Sequence, residues 1–135
     1  MRIALDTNRL TDLFQGDANL AAFLGTCEEI WIPFVVLAEM KAGFYGGTRQ
    51  TRNAALLANL LERETVGILC AGRETTEQYA RLFVLLKRAG TPIPDNDLWI
   101  AAVAMEHDLA LVTRDRHFDK LPHLRREYDL NHLGH

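Results

Sequence analysis

Cysteine is scarce in this chain and forms no pattern. Cys27 and Cys70 stand alone among 135 residues, with no Cys-x-x-Cys pair. Two isolated thiols cannot build a zinc site, and a reducing compartment argues against a disulfide. Both are expected to be small buried side chains. No apolar run reaches the length of a membrane span. A basic-then-apolar leader is not expected either, because Asp6 interrupts the first apolar segment. A cytoplasmic protein is the expectation.

Several catalytic signatures are missing as well. The histidines at 107, 117, 123, 132 and 135 form no His-Glu-x-x-His zinc pattern and no paired-histidine ribonuclease arrangement. His117 reads as a surface loop residue. There is no Gly-x-x-x-x-Gly-Lys phosphate loop and no Gly-x-Ser-x-Gly elbow. Gly43, Gly46 and Gly47 mark a helix end rather than a phosphate cradle. No internal repeat, low-complexity segment or linker interrupts the chain. Basic excess is lacking too: 15 Lys and Arg face 18 Asp and Glu, a net charge of −3. That balance is unlike a nucleic-acid binder at first sight. Four carboxylates gathered in one site would account for the excess, and a bound divalent cation would reverse the local field.

What is present fits an ordinary globular chain, 48% hydrophobic and 24% charged. Its length suits one domain, expected over residues 1–130 with a tail at 131–135. Strands are expected at Arg2–Leu5, Ile30–Ile32, Val66–Cys70 and Leu109–Thr113, with a short edge strand at Leu124–Tyr128. Helices are expected at Thr7–Gln15, Asn19–Leu24, Phe34–Tyr45, Arg49–Arg63, Glu74–Ala89 and Asn96–His107. In the Arg49–Arg63 helix, Ala55, Leu56, Ala58, Leu60 and Leu61 are expected mostly inward. In the next, Tyr79, Leu82, Phe83 and Leu86 form the apolar stripe. Asp115–Leu121 reads as a loop with one helical turn. Alternating strands and helices imply an α/β fold with a parallel sheet covered on both faces. Functional crevices in such sheets lie beyond the carboxyl ends of the strands.

Four acids sit in or beside apolar segments. Asp6 follows Ile3-Ala4-Leu5, and Glu39 lies within Phe34–Met40. Asp97 precedes Leu98–Ala104, and Asp115 follows Leu109–Arg114. Three have simpler readings. Asp6 suits a helix cap, a role worth about 1 kcal/mol. Asp97 gains roughly 0.3–1 kcal/mol in a first helical turn. Asp115 lies between two arginines in what reads as a turn. Glu39 is harder to satisfy locally. Its helical neighbours Val35, Val36, Ala42 and Gly43 carry no positive charge. A metal or a distant basic group is its expected partner. If the four acids meet, they make an oxygen-rich site suited to Mg²⁺ or Mn²⁺.

The segments Asp6-Thr7-Asn8, Leu37-Ala38-Glu39, Asn96–Ala102 and Thr113–Phe118, in this order, resemble PIN-domain nucleases. Their spacing is most similar to VapC-type toxins of bacterial toxin–antitoxin pairs, and the resemblance covers essentially the whole chain. It implies a three-layer α/β/α sandwich around a mainly parallel sheet of four to five strands. By position it makes Asp6, Glu39, Asp97 and Asp115 the catalytic, metal-holding acids. Thr113 becomes the hydroxyl that positions carboxylates or water, with Asn8 and Asp95 farther out.

The implied activity is a metal-dependent endoribonuclease that hydrolyses structured RNA to 5′-phosphate and 3′-hydroxyl ends, using Mg²⁺ or Mn²⁺. Arg9, Lys41, Arg49, Arg52, Arg114 and Arg116 are candidates for RNA-phosphate contact. The implied partners are a small cognate antitoxin, RNA, DNA only through the antitoxin, and a second copy in a homodimer. The antitoxin's C-terminal segment would lie in a groove of exposed apolar residues near Phe14, Phe44 and Tyr45. A different reading is a PIN-like binding subunit, acting mainly as the partner of a DNA-binding antitoxin with little nuclease activity. A third is a metal-dependent nuclease of DNA repair or RNA maturation.

Overall fold

The computed structural model describes residues 1–47 and 50–130. The first strand, β1 (Arg2–Leu5), is buried over Ile3, Ala4 and Leu5. It leads into α1 (Thr7–Phe14) and α2 (Ala18–Thr26). Strand β2 (Glu29–Pro33) follows, then α3 (Phe34–Gly46) and α4 (Gln50–Leu61). Strand β3 (Val66–Leu69) precedes α5 (Arg73–Ala89) and α6 (Asp95–Glu106). The chain closes with β4 (Ala110–Val112), a 3-10 turn at Arg116–Lys120, and β5 (Arg126–Glu127).

Five strands pair in the order β3-β2-β1-β4-β5, every pair parallel. Six helices flank the sheet, giving the expected α/β architecture. From β1 the chain steps one way, to β2 and then β3; β4 and β5 lie on the other side of β1. The crevice at the carboxyl ends of β1 and β4 is therefore the topological switch point.

Both strands at that crevice are apolar because both of their faces are covered. Leu5, Leu111 and Val112 have no exposed surface. Helix α6 is apolar nearly all round, and Leu98, Ile100, Ala101, Ala102, Val103 and Ala104 are all buried. A helix enclosed on several sides carries its first-turn acids to a fixed place. Helix α5 ends at Gly90, whose φ of 69° suits glycine, and Thr91 N–H closes the turn on the Leu86 carbonyl at 3.0 Å. At Gly67 a Cβ would lie 2.6 Å from the Trp31 ring, so the bare backbone lets that indole lie against β3.

Several side-chain expectations need correction. Helix α4 turns Leu57 and Leu60 inward, while Ala55 and Ala58 are exposed. The buried leucines, with half-buried Asn53, Leu56 and Leu61, follow the i, i+3, i+4 spacing of one helical face, which the two alanines miss. Phe83 on α5 is exposed rather than inward, and Thr75 completes the buried stripe instead. Cys70 is exposed, not buried; Cys27 is buried, and both thiols are free. Phe14 and Phe44 belong to the core, so of the three groove residues only Tyr45, 78% exposed, lies on the surface. Lys41, Phe44 and Tyr45 do line a shallow groove with Ala54, Leu57, Ala58 and Leu61. Among the described residues, no helix is long and apolar enough to cross a membrane. Arg49 and the 131–135 tail lie outside the described residues.

Candidate active site

The register of β1 against β4 begins the site. Leu5 pairs with Val112, and Asp6 N–H donates to the Val112 carbonyl at 3.1 Å. The next residues, Asp6 and Thr113, thus face each other. Thr113 Oγ1 donates to Asp6 Oδ2 at 2.7 Å and accepts from Asp115 N–H at 3.0 Å. One hydroxyl with no exposure therefore links two of the acids. Asn8 reinforces the link. Its Nδ2 lies 3.4 Å from both Asp6 Oδ2 and Thr113 Oγ1, and its Oδ1 accepts from Arg114 N–H at 3.2 Å.

Asp6 also caps α1, accepting from Thr7 N–H at 2.8 Å. The capping reading and the site reading hold together, because a carboxylate has two oxygens to share. Glu39 reaches the same crevice from α3. Its Oε2 accepts from Thr7 Oγ1 at 2.8 Å, and its Oε1 from Asn96 Nδ2 at 3.2 Å. Of the two expected partners, a metal or a distant basic group, no basic group takes part in these bonds; a hydroxyl and an amide hold the carboxylate.

Asp97 comes from the first turn of α6, and Asp115 from the cap of the 3-10 turn. Between them sits His117. Its Nδ1 lies 3.1 Å from Asp97 Oδ2 and 3.1 Å from Asp115 Oδ1. His117 lies on the surface as expected, 48% exposed in the turn after β4, but its contact with two of the acids was not foreseen. The turn that Asp115 caps, by accepting from His117 N–H at 2.8 Å, folds the imidazole back over the acids. An Asp-x-His step straight after a strand was the available signal. Asp95, by contrast, is exposed and accepts a hydrogen bond from Tyr79.

Burial pushes the Asp6 carboxyl above its ordinary range, against the Thr113 and Thr7 bonds, and the nearby Asp97 and Asp115 charges push the same way. Asp97 is also held high, chiefly by burial, with Asp115 and Glu39 adding to it and His117 opposing. Asp6 and Asp97 are thus each pushed by neighbouring carboxylates. Asp97, Asp115 and His117 form a tighter group, whose ligand atoms all lie within 4.8 Å of one another. Among the described residues, the ion pairs of this group run only to His117. Hard oxygen donors in excess of positive charge fit a divalent cation.

The family model of the PIN domain matches residues 3–124. This chain belongs to the PIN-domain family. Within that family it is similar to Ribonuclease VapC1 of Haemophilus influenzae strain R2866, 27% identical over 126 residues, covering 90% of this chain and 92% of the relative. Ribonuclease VapC5 of Mycobacterium tuberculosis is 33% identical over 87 residues, and that match spans 64% of each chain, just under two thirds. Among solved structures, VapBC2 from Rickettsia felis bound to a promoter DNA fragment superposes with a TM-score of 0.86 at 27% identity, covering 94% of this chain and 98% of that one. VapBC-1 from nontypeable Haemophilus influenzae gives 0.83 at 25% identity, covering 94% and 97%.

The basic residues of this PIN domain are placed unevenly. Arg9 is 8% exposed; its guanidinium donates to Asp12 at 3.4 Å and to the Tyr128 carbonyl, while its Nε finds no partner among the described residues. It is an internal tie, which corrects its expected place against phosphate. Arg114 grips Asp12 through two bonds, at 2.7 and 3.1 Å. Arg116 lies 3.8 Å over the Tyr128 ring. Arg52 donates to the Phe14 carbonyl at 3.0 Å and lines a cavity with Glu39 and Thr7. Lys41 is exposed.

The Thr113 hydroxyl makes a direct prediction. Thr113→Val keeps the shape but leaves Asp6 Oδ2 and Asp115 N–H without that partner. It should destabilise the fold by about 1–3 kcal/mol in urea unfolding, and Thr113→Ser should restore most of the loss. Equal stability of the valine variant and wild type would remove Thr113 as the brace of the site.

Proposed function

We propose that this PIN domain is a divalent-metal-dependent endoribonuclease, acting in the cytoplasm as the toxin of a toxin–antitoxin pair. One observation carries the reading. Asp6, Glu39, Asp97 and Asp115 come from four separate segments and gather at the switch point of the sheet. The ribonuclease names of its relatives and the VapBC complexes support the substrate and the partner.

Asp97 and Asp115, with Asp6 and Glu39 beside them, are the residues that would hold Mg²⁺ or Mn²⁺. When bound, such an ion lowers the pKa of water and stabilises the departing 3′-oxygen. The chain's own groups set the stage for that chemistry. Thr113 and Asn8 fix Asp6; Thr7 and Asn96 fix Glu39. Thr113 and Asn8 hold Asp6 Oδ2 and the Thr7 N–H holds Oδ1, so both oxygens are oriented by neutral donors. Exposed Lys41, Arg52, Arg114 and Arg116 supply positive charge for the phosphate backbone. A small antitoxin is the proposed partner, with DNA reached only through it, and a homodimer is the proposed state.

Incubating the purified chain with structured RNA and Mg²⁺ or Mn²⁺ tests the reading. Cleavage should stop in EDTA, and the new ends should be 5′-phosphate and 3′-hydroxyl. Cyclic 2′,3′-phosphate ends would mean that the 2′-hydroxyl is the nucleophile, and would overturn the mechanism.

A further inference from the structure

We infer that His117 is a nitrogen ligand of the divalent cation, completing with Asp97 and Asp115 a mixed nitrogen–oxygen corner that favours Mn²⁺ over Mg²⁺. This rests on the proposed metal-dependent reading of the site.

Three possible ligand atoms converge here. His117 Nδ1 lies 3.1 Å from Asp97 Oδ2 and 3.1 Å from Asp115 Oδ1. All three ligand atoms lie within 4.8 Å of one another. With bonds of about 2.1 Å, neighbouring ligands of an octahedral cation stand roughly 3.0 Å apart. The 3.1 Å spacings match that ligand separation, and a cation taking the place of the Nδ1 proton would find the imidazole in reach together with both carboxylates.

The backbone holds it there. Asp115 accepts from His117 N–H at 2.8 Å, and Thr113 Oγ1 accepts from Asp115 N–H at 3.0 Å. The turn carrying the imidazole is thus tied to the hydroxyl that also binds Asp6. The neighbouring Phe118 has no exposed surface, which anchors the same turn in the core. The His117 side chain is 48% exposed, so one ring edge faces solvent while Nδ1 faces the acids. With its proton on Nε2, the neutral ring offers the Nδ1 lone pair to a cation.

Ligand chemistry then sets the preference. Carboxylates suit Mg²⁺ and Mn²⁺ alike, whereas imidazole suits transition metals. An all-carboxylate site would discriminate weakly between the two. One nitrogen ligand should shift the balance toward Mn²⁺.

The test uses Mn²⁺ alone with the full chain. Electron spin-echo spectroscopy of the Mn²⁺-loaded protein should show nitrogen modulation, and His117→Ala should lose it. Titration followed by the free Mn²⁺ signal should show His117→Ala and His117→Gln binding Mn²⁺ about tenfold more weakly, with a smaller change for Mg²⁺. Asp97→Asn separates the two levels of the inference. If Asp97→Asn weakens Mn²⁺ binding but wild type shows no nitrogen modulation, the metal site stands and the role of His117 is overturned. Nitrogen modulation that persists in His117→Ala overturns it too. If Asp97→Asn binds Mn²⁺ as tightly as wild type, the metal lies elsewhere and the proposed function itself falls.

Discussion

Asp97→Asn is expected to cleave RNA about a hundredfold or more slowly than wild type in Mg²⁺, with its fold intact. The warrant is that an amide keeps the shape of the side chain but gives a hard cation a much weaker donor. Asp97 is suited to this test because its contacts lie within the site. Among the described residues its side-chain hydrogen-bond partner is His117, and it caps no turn. Asp6→Asn should lose as much activity. Asp95→Asn should lose little, since Asp95 is exposed and bonded to Tyr79. The same ranking should appear in cells. Expression of the wild-type chain alone should arrest bacterial growth, and Asp6→Asn or Asp97→Asn should relieve the arrest. Wild-type cleavage by Asp97→Asn would refute the assignment of the site. Arrest that persists in both variants would point instead to capture of a partner, the binding-subunit reading.

Removing charge from the site should stabilise the protein when no metal is present. Asp6 and Asp97 both have carboxyls held above the ordinary value of 3.8 in the folded chain. Below that value these acids are protonated in the folded and unfolded states alike, and they cost nothing. As pH rises past it, the unfolded chain ionises first. Stability is then lost until the pH has passed through the folded values. At pH 7 in EDTA, the Asp6→Asn/Asp97→Asn double variant should therefore melt above wild type. The gap should close as the pH falls toward 3.8.

Metal should reverse the order. At a hundredfold excess over its Kd, a cation that binds only the folded site adds about 2.7 kcal/mol, or roughly 10 °C in Tm. Wild type should gain this and the double variant almost none. The gain should be larger at pH 8 than at pH 5, because protons compete for the same oxygens. Equal metal-induced shifts in the two proteins would place the ion elsewhere.

Arg9 and His117 show where reading along the chain loses its power. Arg9 follows Asp6-Thr7-Asn8 and looks available to a phosphate. Folding turns it inward, to Asp12 and the Tyr128 carbonyl, 119 residues along the chain. His117 looks like one polar residue in a loop of charges. A capped turn places its ring between acids 2 and 20 residues away. Local composition does not mark where Arg9 goes, and the Asp-x-His step marks only the Asp115 half of the His117 contact; the rest depends on contacts between distant segments. Ala55 and Phe83 failed for a different reason. Helices α4 and α5 each carry more apolar residues than one face can bury, so hydrophobicity alone does not choose the inward set.

The sequence by itself determined the class of the fold and singled out the acids on which the proposed function rests. Apolar runs of strand length alternating with helical periodicity permit little except a covered parallel sheet. Carboxylates beside such runs stand out because burying an unpartnered charge is so unfavourable. Only the tertiary structure decided which groups meet. The pairing of Leu5 with Val112 sets Asp6 against Thr113. Helices α3 and α6 then bring Glu39 to Thr7 and Asn96, and the 3-10 turn swings His117 onto Asp97. Strand order and register are set by how the whole core packs. The distances that make four scattered acids into a site are therefore a property of the folded chain.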